Sequence, residues 1–156
     1  MLAGRTGGIV LALALTVATA RAAPPDPPRG TDVTVRGQVV PLSQALTALG
    51  LKFDPESVAG QVVLKEDDGT ITPLLSDDAS RALFKDERLR QRKTEIHGRR
   101  FASVPYLQVV TFQVEDHGRL RTPEYFCDIC IISLRFPQIC PCCQGDMYLR
   151  MKPDSP

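Results

Sequence analysis

Before Cys127 this chain of 156 residues contains no cysteine at all, and it has only two histidines, His97 and His117. Neither charge sign dominates: 19 Lys and Arg face 18 Asp and Glu, a formal +1. Such a balance argues against broad electrostatic attachment to nucleic acid or anionic lipid. Neither histidine stands at a diagnostic spacing from a serine, cysteine or carboxylate, and no glycine-rich phosphate loop is present. With no nucleophile–base pair to nominate, the sequence reads as a non-catalytic protein. There is no internal repeat, and low complexity is confined to one proline-rich stretch.

Long apolar runs are also missing. The longest, Ile9-Val-Leu-Ala-Leu-Ala-Leu-Thr-Val-Ala18, is shorter than the ~20 residues needed to cross a hydrocarbon core. It follows Arg5 and precedes Ala20-Arg21-Ala22, a small-x-small cleavage pattern. Residues 1–22 therefore read as a secretory signal peptide, which places the mature chain in the periplasm or cell envelope with no transmembrane segment after cleavage. With no cysteine near that site, lipidation at a new N-terminus is excluded. Cleavage removes Arg5 and Arg21 and no acid, so the balance turns slightly negative. Residues 23–32, with Pro24-Pro-Asp-Pro-Pro28, form a proline-rich linker.

From Asp32 the pattern is that of strands. Val33-Thr-Val35-Arg-Gly37-Gln-Val39 alternates as a half-buried strand should, with Gly37 on the apolar phase at a bulge or sharp bend. Ser43–Gly50 predicts a short helix, Ser43 as N-cap and Gly50 at C′. Gln61–Lys65 and Thr70–Leu75 flank Asp68-Gly69, a hairpin signal, and Pro73 assigns the second strand to an edge. Ser76 predicts a second helix fading near Arg88, with Asp77 and Asp78 in its first turn and Ala79, Ala82 and Leu83 buried. Lys93–Gly98 and Tyr106–Glu115 are the next strands. In the latter, Val110, Phe112 and Val114 share a face, while Leu107 and Val109 point the other way. Three strands, a helix and two strands predict a mainly β protein: over residues 33–122, a small OB-like five-stranded barrel with one helix between strands three and four.

What the chain does have is a burst of sulfur. CDICIISLRFPQICPCC, Cys127 to Cys143, holds all five cysteines. They form two Cys-x-x-Cys pairs, Cys127/Cys130 and Cys140/Cys143, nine residues apart. Each pair supplies two thiolates from one tight turn, and Zn²⁺ takes four of them tetrahedrally in structural sites. Ile131–Phe136 and Tyr148–Met151 supply strands, so residues 123–152 predict a zinc-ribbon-like hairpin, with 153–156 as a tail. About thirty residues with few large apolar side chains cannot build an independent core, so the metal supplies the folding energy. Met147 and Met151 are expected to pack the ribbon against the barrel.

Alternatives stay open. A single iron suits the same four sulfurs, and CPCC resembles the knuckles of rubredoxin-like sites. An oxidising compartment favours disulfides, in which case no metal is bound; but five is odd, and clustered bridges close only short loops. Cys142 is an alternate ligand or a free thiol. A thiol–disulfide redox protein using the Cys-x-x-Cys pairs is the alternative function. A barrel binding a glycan or lipid is the third. The basic run from Arg81 to Arg100 is interrupted by Asp86, Glu87 and Glu95 and reads as a solvated face rather than a nucleic acid interface, and no specific partner is indicated.

The segments DDGTITPLLSDDASRALFKDERLR, VPYLQVVTFQVEDHGRLRTPEYFCDIC and CPCCQGDMYLRMKP resemble a group of uncharacterised exported bacterial proteins sharing a YxCDIC segment and a terminal CxCCQ segment. The resemblance runs from about Val62 to Pro153. It implies one domain plus a cysteine ribbon, with matching cysteines at positions 127, 130, 140, 142 and 143, and it implies no reaction.

Overall fold

The computed structural model describes residues 30–153. The expected signal peptide, the linker up to residue 29 and the tail beyond residue 153 lie outside the described residues. Strands β1 (Thr31–Pro41), β2 (Val62–Glu66), β3 (Ile71–Pro73), β4 (Lys93–Phe101), β5 (Val104–Asp116) and β6 (Arg119–Arg121) build one antiparallel sheet in the order β3-β2-β1-β4-β5-β6. Strands β7 (Pro123–Cys127), β8 (Ile132–Leu134) and β9 (Tyr148–Met151) build a second sheet, β8-β7-β9. Helix α1 (Leu42–Ala48) follows β1. Helix α2 (Arg81–Lys85) and a 3-10 turn (Glu87–Leu89) lie between β3 and β4.

The mainly β expectation holds, but the five-stranded barrel is corrected in strand number and closure. The sheet has six strands and two ends. It rolls far enough for a single parallel bridge, Leu74 to Leu107, with the Leu75 N–H donating to the Leu107 carbonyl at 2.9 Å. Pro73 explains why this contact goes no further. It ends a three-residue strand, brings no N–H to a ladder, and occupies the sheet edge predicted for it.

The helices start elsewhere than expected. Helix α1 begins at Leu42, one residue before Ser43, and no side chain caps it; Gly50 does take the left-handed position beyond its end, φ +69°. The second helix is delayed from Ser76 to Arg81 and shrinks to five residues. Asp77 Oδ1 accepts the N–H groups of Ala79 and Ser80 at 3.1 and 3.0 Å, and Ser80 Oγ donates to the Leu75 carbonyl at 2.6 Å. These bonds hold residues 77–80 in a turn, because Asp and Ser side chains compete with the helix for its own backbone groups.

Strand β5 contains the most instructive departure. His97 pairs with Thr111 but Gly98 pairs with Val109, so Val110 is the extra residue of a β-bulge. The bulge shifts the side-chain phase. Leu107 and Val109 consequently share the core side with Phe112 and Val114, all buried, while Val110 turns out to solvent. The expected grouping of Val110 with Phe112, and of Leu107 and Val109 on the opposite face, is thereby overturned.

One core results. Val39, Leu64, Leu83, Leu89, Ile96, Leu107 and Val114 form its centre, and Tyr125, Met147, Leu149 and Met151 reach it from the second sheet. Both methionines sit where the sequence places them. A smaller cluster of Val40, Ala45 and Val63 lies under α1, which is why β2 is buried on both faces.

Gly37 marks a close approach of backbones. A Cβ there would stand 2.7 Å from Glu66 Cα and collide with the Lys65 carbonyl oxygen. Because the obstruction is main chain rather than a side chain that can swing away, Gly37→Ala is expected to cost about 3 kcal/mol. Urea unfolding measures it; a loss under about 1 kcal/mol would mean that the β1–β2 contact yields freely.

Candidate metal centre

Strand β7 ends at Cys127, and the chain turns immediately. Over Cys127–Ile131 the Ile131 N–H donates to the Cys127 carbonyl at 2.9 Å, and Ile131 takes φ +57°. The second cysteine loop repeats this geometry. The Gln144 N–H donates to the Cys140 carbonyl at 2.9 Å, and Gln144 takes φ +59°. Both loops are single turns of five residues closed by a left-handed fifth residue. The match aligns Cys140 with Cys127 and Cys143 with Cys130, leaving Cys142 as the exposed middle residue of its turn.

The four equivalent sulfurs converge. Sγ atoms of Cys127, Cys130, Cys140 and Cys143 all lie within 4.8 Å of one another, and Cys127 Sγ is 3.5 Å from Cys143 Sγ. No disulfide joins any of the five cysteines. A disulfide needs about 2.05 Å between sulfurs. Four thiolates about 2.3 Å from one tetrahedral Zn²⁺ stand about 3.8 Å apart. The sulfurs stand apart as separate thiols, yet close enough together to surround a single cation. Cys127 and Cys140 are fully buried, whereas Cys130 is partly exposed and Cys143 lies at the surface.

The backbone supplies further anion-stabilising groups. The N–H groups of Cys143 and Cys142 aim at the Cys140 sulfur and hold its thiol down to about 6 against the opposing effect of burial. The Cys130 N–H pulls Cys127 the same way, but burial and the sulfurs of Cys143 and Cys140 outweigh it and raise that thiol. The neighbouring sulfur of Cys142, together with burial and the remaining thiols, raises Cys130. Thiols crowded together resist joint ionisation, as a cation among them would not.

Two features of this centre were not legible beforehand. Ile131, expected to open a strand, is instead a β-branched residue in a left-handed conformation that costs an L-residue roughly 1–2 kcal/mol; β8 starts one residue later. Nor did the sequence reveal what anchors the second sheet. The Tyr125 hydroxyl donates to Asp86 Oδ2 at 2.6 Å, and Arg88 grips the same carboxylate through Nε at 2.9 Å and Nη2 at 2.6 Å. Tyr125 is 1% exposed. Thus β7 is pinned to the 3-10 turn of the main sheet's connection just two residues before Cys127.

The two histidines stand apart from the sulfurs. His97 lies on the outer face of β4, its Nδ1 2.8 Å from Thr34 Oγ1 and its Nε2 3.3 Å from Glu95 Oε1. The contact between Thr34 and His97 comes from strand pairing between residues 63 apart, which the sequence cannot display. Arg36 takes up the remaining charge of Glu95 at 2.6 Å, so the group is a satisfied cross-strand network. His117 occupies the turn after β5 with φ +50°, and it leads into β6 rather than directly into the second sheet. The basic run is largely paired: Arg88 with Asp86, Arg92 with Asp116, Arg99 with Asp32 and Arg100 with Glu66.

Four thiolates in a closed tetrahedron leave no position for a reacting water, so the arrangement suits structural metal binding. No family model, curated protein or solved structure matches this chain.

Proposed function

We propose that this protein is an exported, non-catalytic binding or scaffold module whose C-terminal segment is organised by a structural Zn²⁺ on Cys127, Cys130, Cys140 and Cys143. The observation that carries the reading is the gathering of those four sulfurs within 4.8 Å from two loops that share a closing hydrogen bond and a left-handed residue. Cys142 is a free surface thiol in this reading. The export assignment rests on the charge, apolar run and cleavage pattern of residues 1–22, and it agrees with the resemblance to exported bacterial proteins. An OB-like architecture is favoured by three features together: the strand order, the helix between β3 and β4, and the parallel approach of Leu74 to Leu107. The three strands alternating with two cysteine turns favour a ribbon of zinc type.

Native mass spectrometry of the mature chain tests the metal. The expected result is one tightly held ion per chain, retained in Cys142→Ser and lost in Cys140→Ser. Elemental analysis separates zinc from iron. A metal-free protein with Cys127 or Cys130 joined to another sulfur would overturn the reading and leave thiol–disulfide redox chemistry in its place.

A further inference from the structure

Between the outer face of β4 and β5 and the small sheet lies an open cleft of about 580 Å³. That size falls in the range of small-ligand sites, roughly 300–1,000 Å³. From β5 come Thr111 and Gln113, and from the chain beyond β7 come Ser133, Arg135 and Lys152, all lining the cleft. Among the described residues, neither Arg135 nor Lys152 enters an ion pair. The one carboxylate lining the cleft, Glu124, is already held by Arg150 at 2.7 Å. His97 also borders it, but both its ring nitrogens are engaged by Thr34 and Glu95. The cleft therefore presents two unneutralised cations beside a row of hydroxyl and amide groups.

We propose that this cleft binds a small acidic saccharide, its carboxylate set between Arg135 and Lys152 and its hydroxyls against Thr111, Gln113 and Ser133. The proposal rests on the binding-module reading and names its ligand class. A guanidinium and an ammonium recognise a carboxylate by charge-assisted hydrogen bonds. Hydroxyl and amide side chains both donate and accept, which matches the dual character of sugar hydroxyls. A phosphate would satisfy the two cations and leave the hydroxyl row unused. Arg135 directly follows β8 and Lys152 directly follows β9, so a metal that organises the small sheet also completes the site.

Calorimetric titration of the metal-loaded full chain with digalacturonate, a neutral galactose disaccharide and inorganic phosphate tests the proposal. Digalacturonate is expected to bind at least about tenfold more tightly than either other probe, and to weaken as salt rises. The double substitution Arg135→Ala/Lys152→Ala is expected to weaken it at least about tenfold, with metal content and melting temperature unchanged. No binding of digalacturonate at millimolar concentration, equal affinity for phosphate or the neutral sugar, or an affinity unmoved by the double substitution overturns the site. Metal content is read on the same samples. A metal-free protein that still binds through Arg135 and Lys152 supports the cleft while overturning the metal centre.

Discussion

Removing the proposed metal, by chelation or by Cys127→Ser, is expected to unfold the cysteine region while the six-stranded sheet survives. Beyond β6 the chain offers the main hydrophobic core only Tyr125, Phe136, Met147, Leu149 and Met151, and all but Tyr125 are only partly buried. The long loop from Leu134 to Tyr148 contains no strand and relies on the sulfur cluster to return the chain to β9. A structural zinc site supplies roughly 10–16 kcal/mol of apparent binding energy, far more than so few apolar contacts provide. The main sheet has its own centre in Val39, Leu64, Leu83, Ile96 and Val114, none of which depends on a cysteine. Hydrogen exchange after chelation should therefore lose protection over Ile132–Leu134 and Tyr148–Met151 and retain it over β1 and β4. Undiminished protection at both cysteine-linked strands would show that packing alone holds them. Global loss would show that the two sheets fold as one unit.

Asp86→Ala is expected to destabilise the protein by about 3 kcal/mol, at the lower end for a broken buried ion pair because Arg88, 62% exposed, can turn to water. The Tyr125 hydroxyl cannot; it is left buried without a partner. In Asp86→Ala/Tyr125→Phe part of that loss should return, and a double-mutant cycle without coupling would deny the bond its anchoring role. The same carboxylate predicts acid sensitivity. Burial would raise its pKa, but hydrogen bonds from Arg88 and Tyr125 overcome burial and hold it at about 2, below the ordinary 3.8. A folded-state pKa below the unfolded one gives stability that is full above pH ~4 and fades as the pH falls toward ~2, about 2 kcal/mol in all. In Asp86→Ala this contribution to the acid slope should be absent, in metal-free samples as well as loaded ones.

Local signals proved good guides where a single residue imposes a backbone property. Pro73 placed β3 at an edge because it brings no N–H, Gly50 took the left-handed position beyond α1, and Asp68-Gly69 turned the β2–β3 hairpin. The two Cys-x-x-Cys spacings named four sulfurs that do converge. Signals failed where two local rules competed. Ser76 looked like a cap, yet Asp77 and Ser80 captured the backbone first and delayed the helix. Strict alternation along β5 predicted the wrong face for Leu107 and Val109, because one inserted residue, Val110, reverses the phase.

The sequence by itself determined a β-rich chain, the turns between its strands, and the two Cys-x-x-Cys pairs, since these follow from side-chain chemistry and short spacing. Tertiary structure alone decided that the sheet stays open, that Val110 bulges out of β5, and that Tyr125 bonds Asp86. Those outcomes depend on residues tens of positions apart meeting in space, and each is settled by register, backbone handedness or burial that no local pattern records.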